Sequence, residues 1–149
     1  MDLTDATVLV TGTSRGIGRA LLAMFAAEGA TVVGCARDGD ALDDAVAEAT
    51  ADTEGSVEGV VADVQSEQAV ADLVDAATEA GDSDTIDVVV ANAGVNHGAP
   101  GEMPIGSEPY DRFDDTLATN LRGVFAVAKE AHDVMPDSGR LLVPSGSIA

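Results

Sequence analysis

The stretch Val8-Leu9-Val10-Thr11-Gly12-Thr13-Ser14-Arg15-Gly16-Ile17-Gly18 restricts this chain more than any other. An apolar, β-branched run leads straight into a turn with three spaced glycines. From Ile17 onward the apolar residues Leu21, Met24 and Phe25 recur at helical spacing. A glycine pattern has physical meaning only in such a strand–turn–helix setting. There Gly12 permits the tight turn off the strand, and Gly16 keeps a Cβ away from an approaching pyrophosphate. Gly18 lets the helix sit close on the sheet. The start of that helix presents unpaired N–H groups and the positive end of its dipole, so the turn predicts an anion site.

The alternation of strand and helix continues to the end of the chain. A strand over Thr7–Thr11 feeds a helix over 16–28, ended by Gly29, a good residue just past a helix C-terminus. After a second strand, Thr31–Cys35, Asp38 caps a helix whose apolar positions Ala41, Leu42, Ala45, Val46 and Ala49 share one face. Val57–Ala62 reads as the third strand, and Ser66 opens a third helix closed by Gly81. The fourth strand, Ile86–Ala91, is almost wholly apolar, as a strand buried on both faces must be. A Gly- and Pro-rich loop, Asn92–Ser107, precedes a long helix from Pro109 to Met135, stopped by Pro136, and then a strand over Arg140–Val143. This pattern predicts an α/β fold: one Rossmann-like, doubly wound parallel sheet of order 3-2-1-4-5 with right-handed crossovers. One domain over residues 1–149 accounts for it.

Charge narrows the partners. Acidic residues number 27 against 7 basic ones, the net charge is −20, and Lys129 is the only lysine. That balance argues against nucleic acid or anionic membrane bound through bulk electrostatics. A hydrophobic content of 46% with clear periodicity sets the chain apart from acidic disordered segments. Dispersed acid with almost no lysine is the composition of proteins from high-salt cytoplasm, where salt screens self-repulsion. A single cysteine rules out an intramolecular disulfide and a cysteine-based zinc site, and two distant histidines with scattered carboxylates make no metal site. The N-terminus has neither the basic nor the apolar region of a signal peptide. No apolar run approaches the ~20 residues of a spanning helix, so a cytoplasmic place is expected.

Together these residues resemble the short-chain dehydrogenase/reductase family. Thr11-Gly12-Thr13-Ser14-Arg15-Gly16-Ile17-Gly18 is similar to its cofactor turn. Asp63-Val64 stands where the family contacts adenine. Asn92-Ala93-Gly94 resembles the second half of its Asn-Asn-Ala-Gly, with Ala91 departing at the first position. Thr119-Asn120-Leu121-Arg122-Gly123 resembles the long-helix segment that carries the catalytic Asn, and Ser145-Gly146-Ser147 the strand that carries the catalytic Ser. The resemblance therefore implies catalytic roles for Asn120 and Ser147, with Ser145 as the alternative to the latter. It implies cofactor contacts at Gly12, Ser14, Arg15, Gly16, Ile17, Gly18, Asp63, Val64, Asn92, Ala93 and Gly94. The implied activity is hydride transfer between a nicotinamide dinucleotide and a small carbonyl or alcohol substrate.

Two departures qualify that expectation. The family's Tyr-x-x-x-Lys belongs beyond Ser147, and these residues do not contain it: the only tyrosine, Tyr110, precedes the Asn motif and is followed four residues on by Asp114. The chain is thus expected to be truncated before its general acid, with a non-catalytic dinucleotide-binding module or partner subunit as the alternative. The fifth strand would then be an open edge beside an apolar face, pointing to self-association, a partner, or a longer gene product. The second departure concerns the cofactor. At the end of the second strand Cys35-Ala36-Arg37 places no carboxylate for a ribose 2′-OH, whereas Arg15 and Arg37 suit a 2′-phosphate. NADP is expected over NAD unless Arg37 pairs with Asp38 or Asp40.

Overall fold

The computed structural model describes residues 3–51, 53, 55–96 and 105–145. Its strands are β1 (Thr7–Thr11), β2 (Thr31–Ala36), β3 (Ser56–Val61), β4 (Val88–Val90) and β5 (Arg140–Leu142). All pair in parallel, in the order β3-β2-β1-β4-β5 that the sequence pattern predicts. The helices are α1 (Gly16–Ala27), α2 (Gly39–Ala49), α3 (Glu67–Ala80), α4 (Tyr110–Leu117) and α5 (Val124–Ala131).

Successive side chains of a strand point to opposite faces, and β1 accordingly feeds two cores. Val8 and Val10 enter one with Leu22, Phe25 and Ala45, which come from α1 and α2. Leu9 enters the other with Val70, Leu73 and Val127, which come from α3 and α5. Helices therefore cover both faces, and every residue of central β1 is buried. The caps read from the sequence form as expected. Asp38 accepts from the Ala41 N–H at 3.1 Å and Ser66 from the Ala69 N–H at 3.3 Å, contacts of about 1 kcal/mol each.

Gly29 takes the left-handed conformation (φ +82°) that ends α1. Gly81 ends α3 as expected, but not through a left-handed conformation. Its φ of −83° is open to any residue, but a Cβ there would overlap the buried hydroxyl of Thr7, so close packing of α3 on β1 is what requires glycine.

The largest difference lies in the long helix. It is not continuous over 109–135: a π-helical segment, Ala118–Gly123, separates α4 from α5, and His132–Val134 tightens into a 3₁₀ turn. Periodicity cannot signal this, because the wider turn is selected by tertiary contacts at Thr119, Asn120 and Gly123. Beyond the helix, β5 leaves Leu141, Leu142 and Val143 exposed. Phe113, Leu117, Leu121 and Phe125 along α4, the π-helical segment and α5 are 40–66% exposed. The apolar surface expected from the sequence is there.

Candidate functional site

The turn between β1 and α1 owes its shape to glycine for separate reasons. Gly12 has φ +73°, and a Cβ on it would lie 2.7 Å from the Ala93 Cα, against main chain that cannot yield. Gly16 has φ +58° but nothing within 4 Å of the missing Cβ, so conformation, not crowding by the protein, calls for glycine there. At Gly18 a Cβ would overlap the Gly12 carbonyl, which is why α1 can close on the turn.

Hydrogen bonds from two neighbouring strands brace this turn. The Cys35 carbonyl accepts the N–H groups of Gly12 (2.9 Å) and Thr13 (3.0 Å) and the Thr13 hydroxyl (3.1 Å). From the other side Asn92 Nδ2 donates to the Thr11 and Gly12 carbonyls, and the Ala93 N–H donates to Thr11 Oγ1 at 3.0 Å. Burial pushes the Cys35 thiol up to about 11, so it stands as a neutral core group whose carbonyl, not sulfur, serves the site.

These elements enclose a cleft of about 320 Å³ beyond the carboxyl ends of the strands, where open α/β sheets take their ligands. Gly12, Ser14, Arg15, Gly16 and Ile17 line it from the turn, and Arg37 from the end of β2. Asp63 and Val64 line it after β3, and Asn92, Ala93 and Gly94 after β4. Gly18 does not line the cleft; a Cβ on it would lie 2.7 Å from Asn92 Nδ2, beneath the turn. Cys35, Ala36, Ala62, Val95 and Thr119 complete the lining. Ala36, Ala62 and Val95 are chain neighbours of expected residues, and Cys35 lies two positions before Arg37. Thr119 carries no local signal beyond its place next to Asn120.

The electrostatics of the cleft stand apart from the rest of the surface. Helices α2 and α3 each begin with a side-chain cap and an acidic residue, Asp40 or Glu67, whereas α1 has neither. Its first N–H groups are left for a ligand in a chain rich in carboxylates. Arg19 pairs with Glu48, Arg122 with Glu67 and Lys129 with Glu130, while Arg140 donates to the Ser138 and Gly139 carbonyls. Arg112 also has a partner. Only the guanidinium groups of Arg15 and Arg37 lack one among the described residues, and both face the cleft. Asp38, the alternative partner of Arg37, is engaged as the α2 cap.

Asn120 sits exposed in the π-helical segment and outside the cleft lining. Its Oδ1 accepts from the Val95 N–H at 2.8 Å and its Nδ2 donates to the Val95 carbonyl at 2.9 Å. It thereby holds the segment after β4 that lines the cleft. Ser145 is exposed past β5, and Ser147 lies outside the described residues. Among the described residues no helix is long and apolar enough to cross a membrane, and no three His, Cys, Asp or Glu are grouped to hold a metal ion.

Comparison with known proteins agrees with this geometry. A short chain dehydrogenase family model matches residues 6–148. The 1-deoxy-11-beta-hydroxypentalenate dehydrogenase of Streptomyces avermitilis is 40% identical over 140 residues, covering 94% of this chain and 50% of the relative. The NADPH-dependent pterin aldehyde reductase of Arabidopsis thaliana is 33% identical over 123 residues, covering 83% of this chain and 48% of the relative. A blue fluorescent protein from a metagenomic library, solved in complex with NADPH, superposes with a TM-score of 0.81 at 28% identity, covering 96% of this chain and 56% of that one. The chain spans about half the length of the curated relatives it matches. On the matched residues, the five-stranded sheet and the glycine turn, it belongs to the short-chain dehydrogenase family, whose members bind NAD(P).

Proposed function

We propose that this chain binds NADP(H) in the cleft and is the cofactor-holding part of an oxidoreductase acting on a small carbonyl or alcohol. The observation that carries the reading is the pair Arg15 and Arg37: in a chain of net charge −20, two cations without a carboxylate partner among the described residues line one cleft. A guanidinium fits phosphate oxygens bidentately, so the pair would clamp the 2′-phosphate. The bare start of α1, with Gly16, would receive the pyrophosphate. Asp63 and Val64 would meet the adenine, and Asn92, Ala93, Gly94 and Ile17 would bound the remainder.

When bound, the nicotinamide supplies or accepts the hydride. What these residues do is orient it and exclude water. Asn120 and Ser147, with Ser145 as the alternative for the latter, would belong to the proton-handling group. The Tyr-x-x-x-Lys of the family is not among these 149 residues, and a positioned acid is worth roughly 10²–10⁴-fold in rate. On this reading the 149 residues bind cofactor without turning it over. A polypeptide supplying that motif, or a second copy, would cover the exposed Leu141 and Leu142 edge and the Phe113–Phe125 face.

Titration of NADPH and NADH into the chain in molar potassium chloride, followed by cofactor fluorescence, tests the reading. Saturable micromolar binding with NADPH the tighter ligand is expected. Equal affinities would return the assignment to NAD, and no binding by folded protein would overturn it. Turnover of a carbonyl substrate by the chain alone would refute its incompleteness.

A further inference from the structure

Gln65 lies outside the cleft, yet its side chain settles how one cleft residue presents itself. Its Nε2 is 2.8 Å from Asp115 Oδ1 and 2.8 Å from Thr119 Oγ1. An ionised carboxylate only accepts, so the Gln65 atom facing Asp115 is the NH₂ group. The second hydrogen of that group then goes to Thr119 Oγ1, which must accept. The hydroxyl keeps its own proton, and no acceptor for it exists among the described residues.

Thr119 is 5% exposed and lines the cleft with Asp63 and Val64. Both sides of this arrangement are held. Arg122 donates to the Gln65 main-chain carbonyl at 2.9 Å and pairs with Glu67, while the Gln65 main-chain N–H donates to Asp63 Oδ1 at 3.0 Å. On the π-helical segment Gly123 brings main chain against Val64, where a Cβ would lie 2.7 Å from Val64 Cγ2. A chain of charge and dipoles, Asp115 to Gln65 to Thr119, thus ends at a donor beside the adenine-side residues of the cleft.

We infer that Thr119 is a specificity-determining donor to the adenosine half of the bound dinucleotide, with Gln65 and Asp115 as positioning residues that direct its proton. The inference rests on the dinucleotide reading above and adds a polar contact to it. Asp63 offers an acceptor and Thr119 a donor, a complementary pair for a base edge or ribose that carries both.

The test uses adenosine 2′,5′-bisphosphate and nicotinamide mononucleotide as separate probes, titrated into the full chain in molar potassium chloride. Thr119→Val keeps the shape and removes the donor. It is expected to weaken the bisphosphate about tenfold, the weight of one hydrogen bond, and to leave the mononucleotide unchanged. Thr119→Ser should restore binding to within about twofold. Gln65→Met, acting from outside the cleft, should weaken the bisphosphate by a smaller factor, and the double variant no further than Thr119→Val alone. Bisphosphate affinity unchanged in Thr119→Val overturns the inference while the dinucleotide reading stands. Equal losses for both probes, or additive effects in the double variant, also overturn it. Failure of the unaltered chain to bind the bisphosphate overturns the dinucleotide reading and this inference with it.

Discussion

The side-chain amide of Asn92 donates to the carbonyls of both Thr11, at 3.0 Å, and Gly12, at 3.1 Å, so the end of β4 braces the turn that β1 feeds. Asn92→Asp would set a carboxylate against two carbonyl oxygens, with no proton between them. A loss of roughly 1–3 kcal/mol in stability is expected, larger than for Asn92→Ala. Urea unfolding at fixed potassium chloride measures it; an Asn92→Asp midpoint equal to that of the unaltered chain would show that the amide does not hold the turn.

Gly12 and Gly16 should respond differently to the same change. A Cβ at Gly12 meets Ala93 main chain, whereas one at Gly16 meets nothing within 4 Å. Gly12→Ala is expected to impair folding itself. Gly16→Ala should cost about 1–2 kcal/mol through its left-handed backbone, with the fold retained. Gly16→Asp places a carboxylate at the positive start of α1, where it competes with the cofactor, so NADPH binding should fall at least about tenfold. Thermal melts paired with NADPH titrations separate the two effects, and equal behaviour of the two glycines would contradict the geometry.

On the proposed NADP(H) assignment, Arg37→Ala should weaken NADPH far more than NADH, by about tenfold or more, because it would remove a charge-assisted contact that only a 2′-phosphate can make. Arg15→Ala should act in the same direction. If either variant weakens both dinucleotides alike, that arginine contacts a phosphate the two cofactors share.

The buried Cys35 thiol ties stability to alkaline pH. Burial raises its pKa from 9.0 to about 11, so between those values the folded chain keeps a proton that the unfolded chain loses. The contribution is complete below pH 9 and disappears as pH rises towards 11, amounting to roughly 2–3 kcal/mol at the upper limit. Cys35→Ala should flatten this part of the pH–stability curve, as urea midpoints across the range would reveal. A thiol reagent should label Cys35 only on unfolding; rapid labelling of the folded chain would contradict its burial.

Features set by near neighbours in the chain are legible in the sequence. Asp38 and Ser66 announce their helices because a cap is satisfied within three residues, and the almost wholly apolar Ile86–Ala91 announces a strand buried on both faces because a strand has a period of two. The glycine turn and the residues after β3 and β4 are likewise legible, since the parallel order brings every strand's carboxyl end to one side. Thr119 is not, because its place in the cleft depends on Gln65, 54 residues away, and on a π-helical turn that no local period encodes. The part played by Asn120 is hidden for the same reason: a segment of main chain 25 residues earlier decides where its amide goes. The sequence by itself determined the α/β fold, the strand order and the glycine turn, all of which follow from local propensity and short-range packing. Only the tertiary structure decided which arginines lack a partner among the described residues and that the Thr119 hydroxyl accepts from Gln65, because those depend on groups that meet only after the sheet has formed.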